Sequence, residues 1–102
     1  MKIILSSCGS AEDAQRVAQQ LVEGRFAACV NIVPGIASVY PWKGKIEQAT
    51  EALLVIKTSD AKAAAARAEL SRVHPYETPE IVTVGVEHVS EAYRAWLLDW
   101  TG

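Results

Sequence analysis

The feature that most constrains this chain is an unusually long extended segment with a break inside it. Residues 27–40 are rich in Val, Ile and Ala, which favours a strand about twice the usual length of roughly five or six residues. Pro34 lacks a backbone donor and Gly35 tolerates unusual backbone angles, so the pair predicts a bulge or an edge position. A turn at residues 42–45 begins a second long strand. A single small domain cannot cover such a hairpin, so we expect its far end to pack on another subunit.

Composition narrows the class of protein. The chain has 102 residues, 50% of them hydrophobic, and a net charge of −2, which fits a single globular domain over residues 1–102. The charge gives no electrostatic footprint for nucleic acid or an anionic membrane. No apolar run suits a signal peptide or a membrane span, and Cys8 and Cys29 are expected to be free thiols. We therefore expect a cytoplasmic protein.

The predicted elements follow a recognisable order. They are a strand at 2–7, a helix from Ser10 to Gly24, the long hairpin with its second strand at 45–57, a helix capped by Ser59 or Asp60, a strand at 81–86 and a helix capped by Ser90. This β-α-β-β-α-β order plus a C-terminal helix predicts an α+β, ferredoxin-like split βαβ fold with one antiparallel sheet. Only the last helix is left for the second face of the sheet, so that face is expected to need a partner.

Several common functions of this fold lack their residues here. An iron–sulfur protein needs closely spaced cysteines and a metallochaperone needs Cys-x-x-Cys, whereas the first loop offers only Cys8. An RNA-recognition module needs aromatic residues on its central strands, and an acylphosphatase needs an arginine before the first helix, where Arg16 instead lies within it. No Ser/His/Asp arrangement or phosphate-binding glycine loop is present. We expect a protein that is not an enzyme.

Three motifs carry a resemblance that covers essentially the whole chain. They are Ala27–Asn31 (AACVN), Tyr40–Lys45 (YPWKGK) and His74–Glu80 (HPYETPE). In this combination the chain closely resembles the CutA divalent-cation-tolerance family. The resemblance implies a cytoplasmic homotrimer of ferredoxin-like subunits, similar in architecture to PII signalling proteins, that binds copper and other divalent cations.

The candidate metal ligands are His74, Cys8 and Cys29, because copper and zinc favour imidazole and thiolate ligands. Their spacing forms no site within one segment, so the fold or a subunit boundary must assemble one. In some members of this family the first strand ends in a cysteine proposed to bind copper, and the matching residue here is Ser6, a poor ligand for a soft ion. Cys8, expected to be exposed at the strand end, would substitute. The alternatives are a helix C-cap for His74 and packing for Cys29.

Aromatic residues at the ends of elements suggest a second kind of site, since such residues often form interfaces or ligand clefts. An inter-subunit pocket for a small anion or metabolite would be lined by Tyr40, Trp42, Lys57, Tyr76, Glu80 and Trp96. Lys57 would contact the anionic group. Two functions remain open: a divalent metal-ion binding protein of cation tolerance, or a PII-like signalling trimer that binds a metabolite or partner in this pocket.

Overall fold

One antiparallel sheet of four strands organises the computed structural model, which describes residues 1–102. The elements in chain order are β1 (Lys2–Cys8), α1 (Ala11–Glu23), β2 (Cys29–Trp42), β3 (Lys45–Thr58), α2 (Ala63–Val73), β4 (Val82–Gly85) and α3 (Glu91–Thr101). The strands lie in the order β2-β3-β1-β4, with every neighbouring pair antiparallel. The α+β class and the element order expected from the sequence are confirmed. No helix is both long and apolar enough to cross a membrane.

The hydrophobic core lies between the sheet and the first two helices. Its largest contributors are Val17 and Leu21 of α1, Ile4 of β1, Leu54 and Ile56 of β3, and Leu70 of α2. Alternate residues of β3 are buried, which is the pattern of a strand with one face on the core. The run 52–56 was expected to be buried on both faces, but Leu53 and Val55 are only half-buried because no helix of the core covers that side.

The ends of α1 confirm the capping signals with one difference. The Ser10 hydroxyl accepts a hydrogen bond from the backbone N–H of Asp13 at 3.1 Å, as an N-cap does. The helix ends at Gly24 as expected, but the left-handed residue is Arg25, with a φ of 63°. Gly24 is needed for space instead, because a Cβ there would lie 2.7 Å from the Phe26 ring.

Two other boundaries differ from the sequence expectation. The Ser59 hydroxyl accepts the backbone N–H of Lys62 at 3.2 Å, so it caps a turn and α2 begins only at Ala63. The last strand is shorter than expected, because only Val82–Gly85 pairs with β1.

The β2–β3 hairpin extends well beyond the four-stranded part of the sheet. β1 pairs with residues 52–58 of β3, so residues 45–51 pair with β2 alone. This two-stranded ribbon carries exposed apolar side chains, with Trp42 at 59% and Ile46 at 75% exposure. An isolated two-stranded ribbon is at best marginally stable in water. The expected overhang is therefore present, and a single chain leaves it uncovered.

A bulge divides β2 and decides where its aromatic residues point. The register against β3 shifts within residues 33–36, where Pro34 and Gly35 lie opposite a single residue of β3. A shift of one residue turns every following side chain to the other face of the ribbon. After the bulge, the even-numbered residues Tyr40 and Trp42 therefore lie on the face of the ribbon that odd-numbered residues of β2 occupy before the bulge.

We expect Gly35→Ala to lower the free energy of unfolding by about 1 kcal/mol, because Gly35 has a φ of +71° and a side chain there strains the backbone. Nothing lies within 4 Å of the added Cβ, so no clash contributes. Urea denaturation measures the effect. Gly85→Ala is the matched control, since only the flexible Lys2 ammonium, at 3.6 Å, meets that Cβ. Equal losses in both variants would contradict the role of the bulge conformation.

Candidate metal centre and adjoining cavity

A cavity of about 900 Å³ opens between the β2–β3 hairpin and the loop that follows α2. Its walls include Tyr40 and Trp42 of β2, Glu51 of β3, Ser7 of β1 and the loop 76–80. The bulge turns the two aromatic residues of β2 toward the cavity, and the overhanging part of the hairpin forms one of its walls. Its volume lies in the range of small-molecule sites, roughly 300–1,000 Å³.

Tyr76 links the loop to the sheet across this cavity. Its hydroxyl donates a hydrogen bond to Glu51 Oε2 at 2.8 Å. Burial, and then the hydrogen bond to the Glu51 carboxylate, hold the pKa of the Tyr76 phenol well above its usual range. A Cβ at Gly9 would lie 3.1 Å from the Tyr76 hydroxyl, so Gly9 leaves room for the phenol. The Tyr76 ring thus remains a protonated donor that ties the loop to β3.

A thiol and an imidazole lie together behind the cavity wall. Cys8 Sγ is 3.7 Å from His74 Nε2, and both residues are buried. The expectation that Cys8 is exposed is wrong, because its side chain belongs to the core cluster, with Ala52 of β3 across the strand pair. Burial, and next the negative charge of Asp13, raise the pKa of the Cys8 thiol to about 11.

The His74 ring is held by two backbone groups. A carbonyl oxygen only accepts, so Nε2 carries the proton that it donates to the Ser7 carbonyl at 2.8 Å. Nδ1 then accepts the backbone N–H of Tyr76 at 3.0 Å. His74 is also the C-cap of α2, and its own N–H bonds to the Leu70 carbonyl. The C-cap role expected from the sequence is confirmed, and backbone groups engage both ring nitrogens.

The distance between Cys8 Sγ and His74 Nε2 matches the distance between two ligand atoms on one metal ion. Ligand bonds of about 2.3 Å to sulfur and about 2.0 Å to nitrogen in a tetrahedral site separate the two atoms by about 3.5 Å, close to the 3.7 Å between Cys8 Sγ and His74 Nε2. Binding would require the thiol to release its proton to solvent and the ring proton to move from Nε2 to Nδ1, which would break the hydrogen bonds to the Ser7 carbonyl and from the Tyr76 N–H. No three His, Cys, Asp or Glu side chains of the chain lie close enough together to hold an ion. Any further ligand would therefore be a group of another kind or belong to a neighbouring subunit.

The structure does not bring Cys29 to this pair. Cys29 pairs with Lys57 and Cys8 pairs with Ala52, so the two cysteines are separated by five residues of β3, or about 17 Å along the strand. The Cys29 thiol instead lies 3.8 Å from Asn31 Oδ1. The chain therefore cannot place Cys29 and Cys8 on one ion within a single subunit.

The cavity brings together four of the six expected pocket residues: Tyr40, Trp42, Tyr76 and Glu80. Lys57 and Trp96 do not line this cavity within a single chain, and their place in an inter-subunit pocket stays a prediction. Lys57 donates to Asn31 Oδ1 near the start of β2, and the Trp96 ring packs against Tyr93 on α3 with centroids 5.4 Å apart. The expected contact for an anionic group is therefore absent from the cavity.

Sequence reasoning missed Glu51 and Ser7 as cavity residues. Glu51 lies opposite Ile36, directly after the bulge. The pairing of the two strands places it in the cavity wall, and no local sequence motif predicts that pairing. Ser6, at the position of the cysteine found in some similar proteins, is fully buried, and its hydroxyl has no hydrogen-bond partner. It alternates into the core together with Ile4 and Cys8.

We expect alkylation to distinguish the two cysteines. Cys29 is half-buried, while Cys8 is fully buried with a raised pKa. A thiolate-directed reagent should therefore modify Cys29 quickly and Cys8 only slowly. Because the thiolate is the reactive form, the Cys8 rate should keep rising with pH up to about 11. Mass spectrometry of iodoacetamide-treated Cys29→Ser protein isolates the Cys8 rate. Rapid modification of Cys8 in the folded protein would contradict its burial.

These features define a class: an α+β domain with an overhanging hairpin and a buried thiol–imidazole pair beside a carboxylate-bearing cavity. The family model of the CutA1 divalent ion tolerance protein matches residues 2–99. The chain belongs to this divalent cation tolerance family, as the sequence motifs indicated.

Individual relatives agree with this assignment. The divalent-cation tolerance protein CutA of Thermus thermophilus is 39% identical over 101 residues, covering 99% of this chain and 98% of that protein. A CutA homolog of Xenopus laevis is 42% identical over 91% of this chain, and human CutA is 41% identical over 89%. The chain spans 62% and 51% of the length of these two vertebrate proteins.

Solved structures agree equally well. The crystal structure of the divalent ion tolerance protein CutA1 from Ehrlichia chaffeensis has a TM-score of 0.96 at 31% identity, covering 99% of this chain and 94% of that one. The Thermus thermophilus protein has a TM-score of 0.93 at 39% identity, with both chains fully covered. The overhanging hairpin therefore lies within a fold that these proteins share.

Proposed function

We propose that this chain is a homotrimeric, cytoplasmic protein of metal-ion homeostasis that binds divalent cations, copper above all, and has no catalytic activity of its own. The observation that carries the proposal is the Cys8–His74 pair, whose sulfur and nitrogen lie 3.7 Å apart. Thiolate selects soft ions and imidazole suits copper. The remaining ligands would come from a neighbouring subunit.

The uncovered hairpin supports the trimer. β2 and β4 are the two edge strands of the sheet, and β2 carries exposed apolar residues along the ribbon. Open edges with apolar side chains favour association, and a closed three-fold ring pairs such surfaces in every subunit at once. The strand order β2-β3-β1-β4 also supports the ferredoxin-like classification.

The chemistry of the thiol supports a binding role over a catalytic one. A cysteine beside a histidine resembles a nucleophile with its base, but catalytic cysteines have a lowered pKa, whereas the pKa of Cys8 is raised to about 11. Both cysteines are free, which fits a reducing compartment. A relative from Archaeoglobus fulgidus is described as a periplasmic divalent cation tolerance protein.

A PII-like role is the second candidate, and the cavity of about 900 Å³ favours it. Its size and its aromatic walls suit a small organic ligand. Because Lys57 lies elsewhere, hydrogen-bonded to Asn31, an anionic metabolite has less support than the sequence suggested.

Titration with Cu(I), the softer oxidation state of copper, in the presence of a competing chelator tests whether the Cys8–His74 pair is a copper site. Cys8→Ser is nearly isosteric and should lower the affinity at least about tenfold, because a soft thiolate ligand is lost. Cys29→Ser is the matched control, since it removes the other thiol far from His74, and its affinity should equal that of the wild type. Equal affinities in all three proteins would remove the Cys8–His74 pair from copper binding.

A further inference from the structure

Tyr76 separates the Cys8–His74 pair from the cavity. Its side chain lines the cavity, and its ring packs against the His74 ring with centroids 4.9 Å apart. Its hydroxyl lies close to Gly9, the neighbour of Cys8 in the chain. Both members of the pair are buried, whereas Tyr76 is 36% exposed. A metal ion or a reagent that approaches the pair from the cavity therefore meets Tyr76 first.

Hydrogen bonds hold Tyr76 at both ends of the residue. The phenol donates to Glu51 Oε2 on β3 at 2.8 Å, and hydrogen bonds to carboxylates are among the stronger kinds. The backbone N–H donates to His74 Nδ1 at 3.0 Å. All three residues belong to one chain, so these two bonds do not depend on what covers the hairpin in an assembly. Together they hold the start of the loop 76–80 against the sheet and the His74 ring.

The hydrogen bond to His74 Nδ1 is incompatible with a metal ion on the same ring. When Nε2 of a histidine is a ligand, Nδ1 carries the proton and donates it to an acceptor. The Tyr76 N–H would then face a second donor, so the backbone at residue 76 has to move away from the His74 ring. That movement pulls on the phenol, and the hydrogen bond from the phenol to Glu51 opposes it.

We propose that Tyr76 is a latch over the Cys8–His74 pair, closed by its hydrogen bond to Glu51, that limits the access of copper and of thiol reagents to the pair. The copper part of this inference rests on the proposed function, because the latch regulates that same site. Tyr76 is a positioning residue and not a ligand. The closed latch and bound copper exclude one another, so opening the latch strengthens copper binding and bound copper loosens the loop 76–80.

Alkylation of Cys8 tests the latch without copper, in Cys29→Ser protein, where iodoacetamide reports on Cys8 alone. Tyr76→Phe removes only the hydroxyl that bonds to Glu51, so Cys8 should react at least about fivefold faster. Glu51→Ala breaks the same hydrogen bond from β3 and should give the same increase, which decides the question if Tyr76→Phe folds poorly. Tyr93→Phe is the matched control, since it removes a phenol hydroxyl on α3, away from the cavity. Equal rates in the latch variants and in Tyr93→Phe would overturn the proposal.

Copper titration gives the readout that a merely structural role would not move. Tyr76→Phe should lower the urea denaturation midpoint and yet raise the Cu(I) affinity about tenfold, whereas a loss of packing alone would not raise the affinity. In the wild type, Cu(I) should speed hydrogen exchange at the Tyr76 amide, because that amide loses its acceptor. An unchanged or lowered affinity, or slower exchange, would overturn the latch. If neither protein binds copper, the proposed function fails, and the alkylation rates still decide the latch.

Discussion

Trp42→Ala is expected to weaken the proposed trimer by about 2 kcal/mol or more at each interface, or about thirtyfold in each association constant. Trp42 lies at the end of the overhanging ribbon and is 59% exposed in the single chain. A tryptophan in this position is the kind of large aromatic anchor that carries much of the binding energy of an interface. Sedimentation at several micromolar concentrations should show dissociation that the wild type does not show, and the denaturation midpoint should fall.

Trp96→Ala is the matched control for this prediction. Trp96 is exposed to a similar degree, at 53%, but lies on α3 and packs against Tyr93. Its loss should leave the sedimentation behaviour unchanged. If Trp42→Ala and Trp96→Ala sediment alike, and like the wild type, Trp42 is an ordinary surface residue and the overhang loses its role in assembly.

The second large effect is the pH dependence expected of the proposed copper binding. Burial raises the pKa of the Cys8 thiol to about 11, so at neutral pH copper must displace a proton from it. Release of one proton strengthens the apparent affinity by about tenfold for each pH unit. The affinity should therefore rise with pH without levelling near 9.0, the ordinary value for a thiol, and it should fall as the pH is lowered.

Cys8→Ser provides the comparison for the pH profile. A serine hydroxyl does not ionise in this range, so the variant should lose about one power of ten per pH unit from the slope. Competition titrations between about pH 6 and about pH 10 measure both profiles. A wild-type slope equal to that of Cys8→Ser would show that the Cys8 thiolate is not a ligand.

Local signals in the sequence predicted most of the fold. Ser10 and Ser90 cap their helices as expected, with hydroxyls that accept the third backbone N–H of each helix. The Pro34-Gly35 pair forms the expected bulge. These features depend on interactions between residues a few positions apart, so the local sequence is enough to predict them.

The candidate site was only partly predictable, because it depends on contacts between distant segments. The Cys8–His74 pair joins residues 66 positions apart, and the Tyr76–Glu51 hydrogen bond joins residues 25 apart. Strand register decides that Glu51 borders the cavity and that Lys57 does not. Cys8 is buried because it belongs to the core cluster. Its position at the end of a strand does not reveal this burial in the sequence.

Native mass spectrometry of untagged protein, incubated with copper and then exchanged into volatile buffer, tests the central claim most directly. We predict a particle of three 11.0 kDa chains that carries up to one copper ion per chain, and a trimer of Cys8→Ser that carries none. A monomer, or a trimer whose copper content is the same in wild type and Cys8→Ser, would contradict the account.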